Sequence, residues 1–239
     1  MNNIVSPSIT SGNYPWQTTI SKLKSFNGIG LHSGNLIKVT LKPAKENTGI
    51  IFIRTDIEKK IKERSIKALY SNVSDTSLCT TIENKYGIKV STIEHLMAAF
   101  NGTGIDNIIV ELNGPEVPIM DGSSLPLIEI IEDCGIKSLK VKRKILKILK
   151  KIEVSEDNKY CSFAPSKEQK FSVEIDFDNK AVGKQSASTS LANYNFKNFA
   201  SNARTFGFMK DVEYMRSQGL GLGGSIDNCI IVDNNEIIN

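Results

Sequence analysis

The chain has 239 residues, 40% of them hydrophobic and 23% charged, with a net charge of +4. This composition excludes a wholly disordered protein. No stretch approaches the roughly 18 consecutive apolar residues that span a bilayer, and residues 1–17 are polar rather than a charged-then-apolar leader, so the expectation is a cytoplasmic protein without a transmembrane segment.

The four cysteines, Cys79, Cys134, Cys161 and Cys229, form no CxxC pair, and neither a zinc ribbon nor a disulfide framework is signalled. Residues 137–151 hold eight basic residues and no acid. That run reads as a solvated strand and linker, with an anionic substrate or membrane surface as the alternative. Nucleic acid ranks last, because only five of the 30 basic residues are Arg, the residue suited to base and phosphate forks, and no aromatic residues interleave the lysines.

In chain order, two β-branched runs at 36–41 and 49–54 flank turn chemistry and predict a strand, loop, strand unit. Ser91 and Thr92 then offer an N-cap to an apolar helix through residues 96–100, which Gly102 can end. A strand at 107–112, a Pro/Gly-rich turn at 113–124 and a helix at 125–134 complete a β, β, α, β, α half. Strands at 159–163 and 171–177 flank Pro165-Ser166-Lys167-Glu168, as the earlier pair flanks Pro43-Ala44-Lys45-Glu46. That faint repeat predicts a second half, with a helix near 211–217, a strand at 229–232 and a return starting at 236, one helix short. Early strands and late helices in each half give an α+β fold of two similar domains, each a sheet layered with helices, the second lacking its last helix. The expected divisions are a polar extension 1–17, a first domain 18–136, a basic linker or strand 137–151 and a second domain 152–239.

Only His32 and His95 are histidines. His95 follows Glu94, so an imidazole and a carboxylate leave the first turn of one helix about 100° apart, near its positive end. Such a pair can bind a metal and take a proton from metal-bound water, but a helix-capping, half-buried histidine satisfies the same spacing. His32 sits in Gly28-Ile29-Gly30-Leu31-His32-Ser33-Gly34 and reads as a turn histidine, exposed or hydrogen-bonded. The GxGxxG in residues 219–224 lacks the preceding strand and following helix of a dinucleotide fold. Residues 113–123 read as a structured turn. Thr205, in Ala203-Arg204-Thr205-Phe206-Gly207-Phe208, has a hydroxyl able to donate to a developing oxyanion, an ability that any threonine shares.

Taken together, GIGLHSG (28–34), PAKENTGIIFIRTD (43–56), TSLCT (76–80), STIEHL (91–96), GIDNIIV (104–110), PEVPIMDGS (115–123), ARTFGF (203–208) and GGSID (223–227) resemble the UDP-3-O-acyl-N-acetylglucosamine deacetylases of lipid A biosynthesis. The order and approximate spacing match from about Thr18 to the last residue. The resemblance implies two similar domains facing one another across an active site, and zinc-dependent hydrolysis of the acetamide of a UDP-linked, acylated N-acetylglucosamine. It implies His95 as a zinc ligand, Glu94 as general base and Thr205 as oxyanion donor, with Leu78, Cys79, Phe206 and Val212 lining the acyl passage or its mouth. The family pattern continues beyond the position of Asn239 with a His-Lys-x-x-x-Asp helix, carrying two further zinc ligands, and a His loop supplying the general acid. The expectation is therefore a C-terminally truncated chain. A separate C-terminal fragment would be its partner, and a non-catalytic remnant of a truncated or split gene is the alternative to an active enzyme.

Overall fold

The computed structural model of the protein describes residues 15–190 and 195–239. The first half runs β1 (Trp16–Ile20), β2 (Lys24–Ile29), β3 (Leu36–Pro43), β4 (Ile50–Arg54), β5 (Ser65–Lys67), β6 (Val73–Asp75), β7 (Thr81–Glu83), β8 (Lys89–Val90), α1 (Glu94–Thr103), β9 (Ile108–Leu112), α2 (Leu125–Cys134) and β10 (Ile136–Lys142). There follow β11 (Ile152–Glu156), β12 (Lys159–Phe163), β13 (Lys170–Asp176), β14 (Lys184–Ser190), α3 (Asn195–Phe199), β15 (Phe206–Phe208), α4 (Met209–Ser217), β16 (Ile230–Asp233) and β17 (Glu236–Ile237). Separate sheets and helices rather than alternating βαβ units make the fold α+β.

A five-stranded sheet in the order β2-β3-β9-β4-β5 carries the first half. Its pairs are antiparallel except β4 with β9. Alternation in β3 sends Ile37, Val39 and Leu41 inward, and β9 does the same with Ile108, Val110 and Leu112. Helix α1 turns Leu96, Ala99, Phe100 and Thr103 to that face, and α2 adds Leu127, Ile128, Ile131 and Cys134. The spacings follow one stripe of a 3.6-residue helix. Each fully buried Leu, Ile or Phe contributes about 1.5–3 kcal/mol, and every buried member of this core cluster lies between Ile20 and Cys134.

The second half forms two antiparallel hairpins, β11-β12 and β13-β14, and a small sheet β15-β16-β17. Its side chains are largely exposed: Val154 is 68% accessible, Tyr160 71% and Val173 60%, where Phe52 and Phe100 are at 0%. The chain crosses back through docked contacts. Phe196 packs on the first-half core, Ser124 N–H donates to the Ser201 carbonyl (3.0 Å), and Lys197 meets Glu132 at 2.6 Å.

Two expectations about α1 change. Ile93, not Ser91 or Thr92, precedes the helix, and no side chain caps it. The reason is tertiary: Thr92 gives its hydroxyl proton to Glu116 (2.9 Å) and Ser91 Oγ accepts from Thr81 (2.9 Å). The helix also passes Gly102 and ends at Gly104, whose φ of 73° is the left-handed stop. Gly102 is small for a different reason, since a Cβ there would lie 2.3 Å from the Phe196 ring. The helix at 125–134 stands as read from the sequence, whereas the β, β, α, β, α pattern undercounts strands. Strands β5 to β8 are two or three residues long and too short to carry a hydrophobic period. The basic run is part strand: β10 pairs antiparallel with β1. In both halves the Pro-x-Lys-Glu segment joins two strands that are not paired with each other, β3 to β4 and β12 to β13.

Candidate functional site

Four segments far apart in sequence converge on the start of α1. Glu94 and His95 open the helix, and Glu94 Oε2 accepts the Thr80 N–H at 2.9 Å, which holds the Leu78-Cys79-Thr80 loop against the helix start. His95 is half-buried. Burial lowers its pKa below the usual histidine range against the opposing charges of Glu94 and Asp121, so the neutral, electron-donating ring is favoured.

Asp121 comes from the Pro/Gly-rich turn, where its Oδ1 accepts the N–H (2.9 Å) and hydroxyl (2.8 Å) of Ser123. The second half docks on this turn. Thr205 N–H donates to the Gly122 carbonyl (2.8 Å), and Arg204 Nε donates to the Asp121 carbonyl (2.8 Å). Gly122 has φ 88°, and a Cβ there would meet the Asn228 carbonyl oxygen at 2.2 Å; only glycine permits that approach. Thr205 thus reaches the site through backbone contacts made one residue after Asp121.

The GIGLHSG loop closes the side of the site. Glu116, buried at 2% exposure, accepts the N–H groups of His32 (2.9 Å) and Ser33 (2.8 Å) as well as the Thr92 hydroxyl. From the opposite side, the N–H groups of Leu222 and Gly223 donate to the carbonyls of His32 and Leu31. The GxGxxG segment is therefore a clamp on this loop, between α4 and β16, rather than a nucleotide cradle. His32 departs from its expected role as an exposed or hydrogen-bonded turn residue. Its backbone is fully tied down, while both ring nitrogens are buried without a partner at hydrogen-bond geometry.

The site residues expected from the sequence fall in three places. Glu94 and His95 share one helical turn, Leu78 and Cys79 lie on the loop that Glu94 anchors, and Thr205, Phe206 and Val212 lie on the docked second-half segment and α4. Leu78 is exposed, while Phe206 stacks edge-on with Phe177 and Phe208 at centroid distances of 5.5 and 5.9 Å. None of the four expected acyl-passage residues lines the apolar cleft of about 430 Å³ between α1, the β13-β14 hairpin and α3, which is walled by Met97, Phe171, Val173, Phe196 and Phe199. Glu116, Asp121 and Arg204 carry much of the site's architecture. Their segments read as a structured turn and a short aromatic loop, with no spacing that singles these residues out.

A catalytic zinc ion needs three protein donors and an open position. His95 offers one imidazole and Asp121 a nearby carboxylate, and among the described residues there is no cluster of three or more His, Cys, Asp or Glu placed to hold a metal. The residues present do not complete a zinc site.

Residues 17–239 match the family described as LpxC, UDP-3-O-acyl N-acetylglycosamine deacetylase. The chain belongs to this family. It is 43% identical over 226 residues to the UDP-3-O-acyl-N-acetylglucosamine deacetylase of Haemophilus influenzae (strain 86-028NP), covering 93% of this chain and 73% of that one. It is 43% identical over 225 residues to the deacetylase of the same name from Neisseria meningitidis serogroup C. The Chromohalobacter salexigens deacetylase matches at 45% over 225 residues, again with 93% and 73% coverage. The eight motifs of the family resemblance all lie inside the matched span, including Glu94, His95 and Thr205. No helix among the described residues is long and apolar enough to cross a membrane.

Proposed function

We propose that this chain carries the substrate-facing part of an N-deacetylase acting in the cytoplasm on UDP-3-O-acyl-N-acetylglucosamine, the reaction that commits the sugar to lipid A. The observation that carries this reading is the presentation of Glu94 and His95 from the positive end of α1, with the Thr205 segment docked beside them on the Asp121 turn. The Glu94 carboxylate, steadied by the Thr80 N–H, accepts a proton from the water that attacks the acetamide carbonyl. The Thr205 hydroxyl donates to the oxyanion that develops on that carbonyl. Leu78 and Cys79 on one side, and Phe206 and Val212 on the other, flank the acyl chain. In this reading His95 would give one donor to a zinc ion, with the remaining donors and the general acid supplied from outside residues 1–239.

A second reading, that the chain by itself binds the acylated sugar without turning it over, is favoured by the incomplete donor set and by the exposed strands of the second half. One assay separates the two: acetate release from UDP-3-O-acyl-N-acetylglucosamine with added zinc, by the chain alone and by the chain mixed with the part of the Haemophilus influenzae relative outside the match. The deacetylase reading expects release in the mixture and its loss in Glu94→Ala. Unchanged turnover in Glu94→Ala overturns the assigned base, and substrate binding without release in either sample establishes the second reading.

A further inference from the structure

The basic run that follows the first-half core has no task in the proposed deacetylation, and the structure leaves it bare. Between β10 and β11, residues 143–151 form neither helix nor strand. Within them Ile145, Leu146 and Leu149 are 84%, 88% and 79% accessible, where Ile20 and Leu41 of the core are at 0%. Apolar side chains exposed singly are ordinary, but a contiguous group of large ones marks an interaction surface. The charges around this group have one sign, since residues 137–151 hold eight basic residues and no acid. Arg143 pairs with Asp106 and Lys151 with Glu153, whereas Lys144, Lys147 and Lys150 are exposed and have no acidic partner among the described residues. The apolar surface runs on into the next hairpin. There Ile152 lies opposite Phe163 and Val154 opposite Cys161, so Ile152, Val154 and Phe163, all exposed, share one face of β11-β12.

We propose that residues 144–151 dock on the surface of an anionic lipid bilayer, with Lys144, Lys147 and Lys150 against the phosphate headgroups and Ile145, Leu146 and Leu149 inserted at the boundary between headgroups and acyl chains. Charge complementarity selects this occupant. The unpaired lysines call for a negative partner, and the bare aliphatic side chains between them call for an apolar one. An anionic bilayer offers both, charge at its surface and hydrocarbon just beneath. Lysine suits that depth profile, because its stem lies along apolar surface while its ammonium stays at the headgroups. A bilayer also demands no groove and no fixed fold of the segment that meets it. A free nucleotide or a nucleic acid would answer the lysines but leave Leu146 and Leu149 in water. A second copy meeting the segment through the same residues would set like charges against one another. The attachment is peripheral and reversible, since it rests on a few lysines and three inserted side chains rather than on a spanning helix.

The test is flotation of the whole chain with vesicles containing phosphatidylglycerol and, in parallel, with vesicles of phosphatidylcholine alone. Binding to the anionic vesicles and not to the neutral ones is expected. Raising salt from about 0.1 M to about 1 M, which shortens the screening length from about 10 Å to about 3 Å, should weaken that binding at least tenfold. A variant with Lys144→Gln, Lys147→Gln and Lys150→Gln should lose about fivefold for each lysine, about 100-fold in all. Leu146→Asn with Leu149→Asn keeps every charge and should lose at least about tenfold, a loss that a purely electrostatic contact would not show. No binding to anionic vesicles at low salt, equal binding to both kinds, or unchanged binding in either variant overturns the proposal. So does release by added UDP, which would assign the lysines to a free phosphate. A dimer in light scattering that the leucine variant dissolves, with no vesicle binding, assigns the segment to a second copy and likewise overturns it. Should a variant fail to fold, the salt series and the neutral vesicles decide on the native chain. The readout is vesicle binding, so the outcome is independent of whether the chain deacetylates anything.

Discussion

The strands of residues 16–142 and those of 152–237 are comparably hydrogen-bonded, yet their side chains live in different surroundings. In β3 and β9, alternate residues vanish into a core shared with α1 and α2. In β11 and β12 every residue is exposed, including Ile152, Val154 and Phe163, although the ladder between them is regular. Backbone pairing and hydrophobic burial are thus separate contributions. A two-stranded ribbon satisfies its peptide groups, but without a second layer it buries little apolar area, and an isolated hairpin is marginal in water. The second half is held by what it borrows from the first: the Phe196 contact, the Ser124–Ser201 bond and the docking of Thr205 on Gly122.

The largest expected effect tests this contrast directly. Phe100→Ala, in the buried core, should cost about 3–5 kcal/mol in chemical denaturation, whereas Val154→Ala should stay within about 0.5 kcal/mol. Equal losses would show that the β11-β12 hairpin is packed after all. Next in size, Glu116→Ala leaves two part-buried N–H groups and the buried Thr92 hydroxyl without their acceptor. It should destabilise the protein by about 2–3 kcal/mol, with hydrogen exchange rising at residues 28–34. Gly122→Ala strikes the joint between the halves. Strain at positive φ and the 2.2 Å approach to Asn228 should cost about 1–3 kcal/mol and release amide protection across 203–230 while β3, β4 and β9 stay protected. Uniform loss of protection would mean that the halves unfold as one unit.

The smallest effect is a pH slope, in which the two histidines have opposite signs. His95 is lowered, chiefly by burial, so the unfolded chain binds the extra proton first. Stability should fall as pH drops through the unfolded value of about 6.5, and His95→Gln should remove that slope. His32 is raised, first by Cys79. Its contribution is present below about 6.5 and is lost as pH rises through its higher folded value. Denaturation midpoints from pH 5 to 8 in the two single Gln variants measure both. A slope left unchanged in either variant would remove that residue from the account.

Much of the first half was legible because its elements are long and periodic. Helix 125–134 coincides with α2, and the strands at 36–41 and 107–112 agree with β3 and β9 to within two residues. The return at 236 also stands. Strands β5 to β8 escaped because two or three residues carry no period, and the cap of α1 was misplaced because Ser91 and Thr92 spend their hydroxyls on tertiary partners. At the site, Glu94, His95 and Thr205 were reached through motif resemblance. Glu116 drew no separate notice, since a buried carboxylate bonded to a loop 83 residues away leaves no local trace.

By itself the sequence determined the family, the α+β class and the Glu94-His95 pair at a helix start, all properties of local pattern and motif order. Only the tertiary structure decided that Asp121, Thr205 and the GIGLHSG loop meet there, that Glu116 holds the His32 backbone, and that one half owns the core while the other leans on it. Those outcomes depend on long-range contacts between segments whose separation along the chain says nothing of their distance in space.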